Sequence, residues 1–191
     1  MRHTRLYRQG VLEAKDFPAA QISDFLQQPD TVVWLDLCEP NQEDLVVVSQ
    51  EFGLHPLAVE DAIQEHERPK LDRYQDHAFL TAYAVSLDPA TGRLQKGELA
   101  AFITPRALIT VRKDPTFDIQ EVVERWNGSA DLAGHGVGFL LWGLLDFVVD
   151  GHFATVQQLD EALEGLEDLL FEERPHSVEV QRRSFEVRKS L

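Results

Sequence analysis

The chain has 191 residues, with 18 lysines and arginines against 33 aspartates and glutamates, for a formal charge of −15. Hydrophobic residues make up 43% and charged residues 27%, an ordinary globular composition that argues against disorder, at a length suited to one domain or a domain with an appendage. The acidic balance argues against a nucleic-acid or anionic-membrane binder, which needs clustered Lys and Arg, and favours cations as partners.

From the N-terminus, Tyr7 to Ala14 holds one or two short strands around Gly10. Pro18 to Gln28 (PAAQISDFLQQ) reads as a helix, with proline tolerated in its first turn. Thr31 to Cys38 (TVVWLDLC) is rich in β-branched and aromatic residues and is expected as an interior strand. Asn41 is a good N-cap for the helix QEDLVVVSQEF, whose first turn carries Glu43 and Asp44 beside the positive end of the dipole, and Gly53 stops it. His55-Pro56 opens a short helix, PLAVEDAIQ, that must end before Pro69. From Leu71 to Arg112 the pattern turns strand-like. Ala78 to Leu87 leads into the turn cluster Asp88 to Gly92, and ELAAFIT and ALITVR flank Pro105-Arg106, so two hairpins are expected. Phe117 to Asn127 reads as a helix. The fold class is therefore α/β, with a mixed sheet covered by helices rather than a purely parallel one.

The character changes at Asn127-Gly128-Ser129, which divides the chain into an α/β domain, residues 1–128, and a helical arm, residues 129–191. Val137 to Glu173 is free of proline, and a helix of that length would run about 55 Å at 1.5 Å per residue. Apolar residues recur there in heptad-like steps at Leu141, Leu145, Val148, Val156, Leu159, Leu163, Leu166 and Leu170, with His152 filling the gap as a packed, hydrogen-bonded histidine. Arg174-Pro175-His176 breaks the helix, and Ser177 to Leu191 restarts one that ends without a cap, as a truncation would. Ten acidic residues and no Lys or Arg lie between Asn127 and Glu173, against five basic and two acidic residues from Arg174 onward, so an antiparallel hairpin would join complementary faces. No unbroken apolar run of about 18 residues exists; Gly136 to Leu145 stops at Asp146, and no membrane span is expected within the chain.

Enzyme signatures fail on inspection. A single cysteine, Cys38, leaves no intramolecular disulfide and no cysteine zinc cluster, and in its apolar run it reads as a buried hydrophobe of a reducing cytosol. Glu65-His66-Glu67 lacks the second histidine of a zinc-protease motif, which would fall at Lys70. Gly134-His135-Gly136-Val137-Gly138 has no Gly-Lys-Ser/Thr after it and no strand before it, and is expected to serve as a hinge. Trp34, Trp126 and Trp142 are expected in the core. Two acidic pairs stand out. Glu60 and Asp61 are adjacent on the short helix, and Asp146 and Asp150 stand at i, i+4 on one face of the long one. Hard divalent cations such as Mg²⁺ need only one or two carboxylates and keep several waters. The pairs are thus candidate metal ligands, with an ordinary solvated face as the competing reading.

The segment GLHPLAVEDAIQEHERPKLDRY, together with LLWGLLDFVVDGHFATVQQLDEALEGLEDLLFE, resembles the CorA family of divalent-cation transporters. The match is carried by His55 to Asp61, by Arg68-Pro69-Lys70 and by Leu144 to Phe153. It covers nearly all of the chain and corresponds to the family's cytoplasmic N-terminal part. The resemblance implies an α/β/α domain, then long helices leading to a stalk and transmembrane helices that would follow Leu191. It implies a pentamer at the cytoplasmic face of the cell membrane, with divalent cations as partners and no enzymatic activity. Mg²⁺ bound between neighbouring subunits would favour the closed pore, with Co²⁺, Ni²⁺ or Zn²⁺ as other ions. By motif match the regulatory metal ligands would be Glu60, Asp61, Asp146 and Asp150. Facing carboxylates would repel without metal and be bridged with it. Two alternatives are weighed: a ZntB-like zinc branch, supported by His55 near Glu60 and by His152, and a stand-alone interaction protein in which metal has no role.

Overall fold

A computed structural model describes residues 2–64, 68–88 and 91–171, and the isolated positions 182, 184 and 185. The Arg174-Pro175-His176 break, most of the returning helix and Glu65-His66-Glu67 lie outside the described residues, so the helical hairpin does too. Seven strands form one sheet: β1 (Arg2–Arg8), β2 (Val11–Lys15), β3 (Thr31–Cys38), β4 (Lys70–Arg73), β5 (Ala78–Leu87), β6 (Leu94–Ile103) and β7 (Ala107–Arg112), in the order β2-β1-β3-β7-β6-β5-β4. Only β3 and β7 pair in parallel among the registers described, and β1–β2, β1–β3, β4–β5 and β6–β7 are antiparallel. The sheet is mixed, as expected. The expectation of an interior strand at Thr31 to Cys38 holds at both ends, since β3 lies between β1 and β7. β7 is buried throughout and β3 at every residue but Val32, because helices cover both faces.

Side chains alternate between those faces. Val33, Leu35, Leu37, Ala107, Ile109 and Val111 join one core cluster with residues of α1 (Ile22–Gln27), α2 (Gln42–Phe52) and α3 (Pro56–Ile63). Trp34 turns to the opposite face and meets Trp126 of α4 (Ile119–Gly128) edge-on, with ring centroids 4.9 Å apart. The Trp126 indole N–H donates to the Leu140 carbonyl of α5 (Val137–Phe171) at 3.1 Å. Helices α1 to α3 therefore cover one face, and α4 with the first turns of α5 covers the other.

Local chemistry explains several boundaries. Asn41 caps α2 in a reciprocal capping box with Asp44: its side chain accepts from the Asp44 N–H at 2.8 Å, while the Asp44 carboxylate accepts from the Asn41 N–H at 3.2 Å. The first predicted helix is shorter than expected, a 3₁₀ turn at Ala19–Gln21 followed by six α-helical residues. The expected glycine hinge is a 3₁₀ turn, Ala130–His135, followed by Gly136 at φ 64° and ψ −134°. That backbone region is open essentially to glycine alone, and it lets α5 start in a new direction.

The chain forms two compact units, Met1–Tyr83 with Gly97–Phe147, and Ala84–Lys96 with Val148–Leu191. In the first, Val137, Phe139, Leu140 and Leu144 of α5 are buried while Leu141 and Leu145 are half-buried. In the second, Thr155 is buried and its hydroxyl donates to the Val85 carbonyl at 3.3 Å, while Val156 and Leu163 are exposed. Of the expected seam, Val148 and Leu166 are buried and Leu159 is half-buried, whereas burial shifts by one residue to Leu140, Leu144 and Thr155 at other steps, because apolar residues fill adjacent positions and only tertiary packing chooses among them. Trp142 is exposed, at 44%, rather than in the core. His152 is hydrogen-bonded as expected, to the Val148 carbonyl of its own helix at 2.7 Å, but is exposed rather than packed. The expectation that nothing could span a membrane also needs correction. By length and composition Val137–Glu167 suffices, because it contains a stretch of about 18 residues that is apolar on average and tolerates the few acidic residues within it. Its first turns are buried against α4, while about a third of the apolar stretch is buried in all.

Candidate functional site

On α3, His55 serves as N-cap, its Nδ1 accepting from the Leu57 N–H at 3.3 Å, and Pro56 occupies the first turn, where its missing N–H costs nothing. Ala58 and Ala62, at i and i+4, are fully buried against the sheet, which turns the acidic pair away from the core. Glu60 is exposed and accepts from the Gln64 side-chain amide at 2.8 Å, one turn on. Asp61 is half-buried and accepts from the Lys70 ammonium at 2.6 Å. Lys70 opens β4, and its nitrogen also lies 3.4 Å from Asp72, two residues along the same face of the strand. The hydrogen bond it donates to Asp61 is the main cause that holds the Lys70 ammonium above the ordinary lysine range; burial opposes it and the charges of Asp61 and Asp72 assist.

On α5, Asp146 is half-buried and forms an ion pair with Arg125 of α4. The Arg125 guanidinium also lies 5.7 Å from the centre of the Phe147 ring, close enough for a cation–π contact. Asp150 is exposed, in the second unit. Glu60 and Asp61 stand on a helix of one sheet face, and Asp146 stands on a helix of the other. One chain does not assemble them. Among the described residues, no group of three or more His, Cys, Asp or Glu side chains is arranged to hold a metal ion.

Sequence reasoning missed Lys70 and Arg125 as partners of the candidate carboxylates. The pairs are 9 and 21 residues apart, separations that no helix or strand period joins. Alternation along β4 was the available signal for the contact of Lys70 with Asp72. The histidines cited for a zinc branch are also committed elsewhere: His55 caps α3, and His152 bonds its own helix.

Beneath α3 lies a second set of titratable groups. Tyr74 stacks on His55 and on His77, with centroids at 4.6 and 4.9 Å. His77 is 8% exposed; its Nε2 accepts from the His55 N–H at 3.5 Å, and its Nδ1 has no hydrogen-bond partner among the described residues. Burial, then the nearby His55, pushes the His77 imidazole below its ordinary 6.5, with Asp76 opposing weakly. The folded chain therefore holds His77 neutral where the unfolded chain takes up a proton. Stability from this group is full above pH 6.5, the ordinary histidine value, and is lost as pH falls through the lower folded value. Thermal unfolding midpoints measured across pH 7.5 to about 5 should fall for the wild type, and His77→Gln should flatten that part of the slope.

A family model described as CorA-like Mg²⁺ transporter protein matches residues 29–191. The chain belongs to the CorA family. Among curated relatives, the Bacillus subtilis protein YfjQ is 30% identical over 152 residues, covering 79% of this chain and 45% of YfjQ. The cobalt/magnesium transport protein CorA of Thermotoga maritima is 25% identical over 178 residues, covering 91% of this chain and 50% of that protein. The chain spans about half the length of the curated relatives it matches. Among solved structures, the soluble domain of CorA from Methanocaldococcus jannaschii superimposes with a TM-score of 0.69 at 21% identity, over 98% of this chain and 71% of that one. That likeness shows the fold alone, a mixed sheet between helical layers followed by a long helix.

Proposed function

We propose that this chain is the metal-sensing part of a CorA-type transporter of Mg²⁺ and related divalent cations such as Co²⁺. It stands at the cytoplasmic face of the membrane, has no enzymatic role, and assembles as a pentamer through its whole protein. Mg²⁺ held between neighbouring copies stabilises the closed pore. The observation that carries this reading is the placement of the acidic groups. Asp61 and Asp146 lie on opposite faces of one sheet, so they cannot share an ion within a chain, whereas two adjacent copies can present one face to the other.

The donor chemistry suits the ion. Carboxylate oxygens are hard ligands, and Mg²⁺ keeps most of its waters while accepting one or two of them. Zn²⁺ and Ni²⁺ gain more from imidazole nitrogen, and the Nδ1 atoms of His55 and His152 are engaged within their own helices. Without the ion, carboxylates facing one another across a subunit border repel, in a chain already carrying a charge of −15. With it they are bridged, and that difference in affinity between two assemblies is what couples cation concentration to gating.

Titration of the wild type with Mg²⁺ by calorimetry or thermal shift should reveal weak binding, about millimolar. The double variant Asp146→Ala/Asp150→Ala should lose most of that response. Equal responses from the two proteins would remove the site assignment.

A further inference from the structure

We infer that α3 is fastened at its N-terminal end by a proton-sensitive latch: ring nitrogens of His55 and His77 accept the hydrogen bonds that anchor this end, and acid releases it. The inference is independent of any metal and concerns a movement of the helix that carries His55 to Asp61. The acceptors differ in kind from those at the other capped helices. Asn41 caps α2 and Asp118 caps α4, each through a side-chain oxygen. At α3 the Leu57 N–H donates to His55 Nδ1 at 3.3 Å, and the His55 N–H donates to His77 Nε2 at 3.5 Å. Pro56 has no N–H, so imidazole nitrogens receive every backbone donor from residue 55 to residue 57. A ring nitrogen accepts only while it is unprotonated. Protonated, it becomes a donor facing a donor, at the end of a helix where the dipole is already positive.

His77 is the acceptor least able to accommodate a proton. It is 8% exposed, and its Nδ1 has no hydrogen-bond partner among the described residues. Because Nε2 accepts, the neutral ring carries its hydrogen on Nδ1. The groups that face the ring answer an added charge poorly. From α3 comes His55, which opposes a positive charge. The turn between β4 and β5 supplies the stacked ring of Tyr74, with centroids at 4.9 Å, and the carboxylate of Asp76; β6 supplies the ring of Phe102, at 6.1 Å. Asp76 attracts the proton, but burial and His55 outweigh it and hold the imidazole below its ordinary 6.5. Opening α3 returns His77 toward that value, so the open form binds the proton more tightly. Opening is therefore favoured as pH falls below 6.5, until the docked ring itself titrates. The far end of α3 keeps a separate tie, since Asp61 accepts from Lys70 of β4 at 2.6 Å. The helix thus loosens from His55 onward, and Leu54 and Ala58 leave the core cluster first.

The test reads amide hydrogen exchange of the full chain by NMR, corrected for intrinsic exchange, between about pH 7.5 and about pH 5.5. Helix α4, on the opposite face of the sheet and capped by Asp118, is the reference. On acidification the protection of Leu57 to Ala62 should fall by roughly five- to tenfold relative to α4, the scale of losing one cap. His77→Gln and His55→Asn each replace a ring nitrogen with an oxygen acceptor that does not titrate. Each should remove part of the fall, and the two together should abolish it. His152→Gln, at an exposed position on α5, should leave it unchanged. Should His77→Gln fold poorly, ring nitrogen shifts of the wild type decide the point, with Nε2 of His77 expected as the unprotonated atom at neutral pH. Equal falls in α3 and α4, a fall that persists in the double variant, a fall that His152→Gln also removes, or a hydrogen found on Nε2 at neutral pH overturns the inference.

Discussion

Replacing Asp36 with alanine is expected to lower the stability of the folded chain by about 3–5 kcal/mol, read as a fall in the denaturant midpoint. Asp36 is fully buried on β3 and faces Arg112 on β7, which is 5% exposed. The guanidinium donates to both carboxylate oxygens, Nε to Oδ1 at 3.1 Å and Nη2 to Oδ2 at 2.7 Å. The Thr110 hydroxyl donates to Oδ1 at 2.7 Å, and the Trp34 indole N–H donates to that hydroxyl at 3.1 Å. Burial alone would pull the Arg112 pKa down, yet the hydrogen bond and charge of Asp36 outweigh it and raise the value. Without Asp36 the guanidinium remains charged and buried with only the Phe117 carbonyl, at 2.8 Å, to receive its hydrogen bonds. The cost is that of an uncompensated buried cation, larger than the modest net worth of the pair. The double variant Asp36→Ala/Arg112→Met should therefore recover much of the loss, because an apolar pair has no charge to desolvate. A single-variant loss below about 1 kcal/mol, the scale of an exposed pair, would mean that Arg112 finds water. Function enters through the same residue. The Phe117 carbonyl held by Arg112 directly precedes Asp118, the N-cap of α4, so this network positions the helix that carries Arg125.

Much of the fold was legible because local chemistry and tertiary structure agree. The helix after Asn41, the strand from Thr31 to Cys38 and the strand from Ala107 to Arg112 begin and end where caps, prolines and turns place them. The seam of α5 was legible only in part, at Val148 and Leu166. Leu140 and Leu141, and Leu144 and Leu145, are equivalent in hydropathy, and the choice between them is made by Trp126 from another helix. Sheet order is likewise a property of pairings between distant strands, such as Val33 with Ala107. At the candidate site, helical placement of the four acidic residues could be read from spacing, whereas the cations on Asp61 and Asp146 arise only when β4 meets α3 and α4 meets α5. A view limited to acidic residues on helices suggests vacant ligands. The folded chain instead presents carboxylates whose charge is partly answered by Lys70 and Arg125.

Gly143→Ala is expected to destabilise the fold by roughly 2–4 kcal/mol, the combined scale of overpacking and a strained buried hydrogen bond. The direction is opposite to helix propensity, which favours alanine over glycine by about 1 kcal/mol. Sterics decide the sign. A Cβ on Gly143 would lie 2.5 Å from Nε1 and 2.6 Å from Cδ1 of Trp126, well inside van der Waals contact. Trp126 cannot yield easily, being 2% exposed, edge-on to Trp34 and hydrogen-bonded to the Leu140 carbonyl. Either the indole leaves its bond or α5 moves away from α4. Movement of α5 would loosen the pairing of Arg125 with Asp146. Trp126→Phe withdraws the indole N–H and its five-membered ring, at the expense of a buried hydrogen bond and some packing. Combined with Gly143→Ala it should be less damaging than the two losses added, by at least about 1 kcal/mol of coupling in a double-mutant cycle. Strict additivity would show that the two residues do not share the contact, and that the close approach of α5 to α4 rests on something other than the missing side chain at position 143.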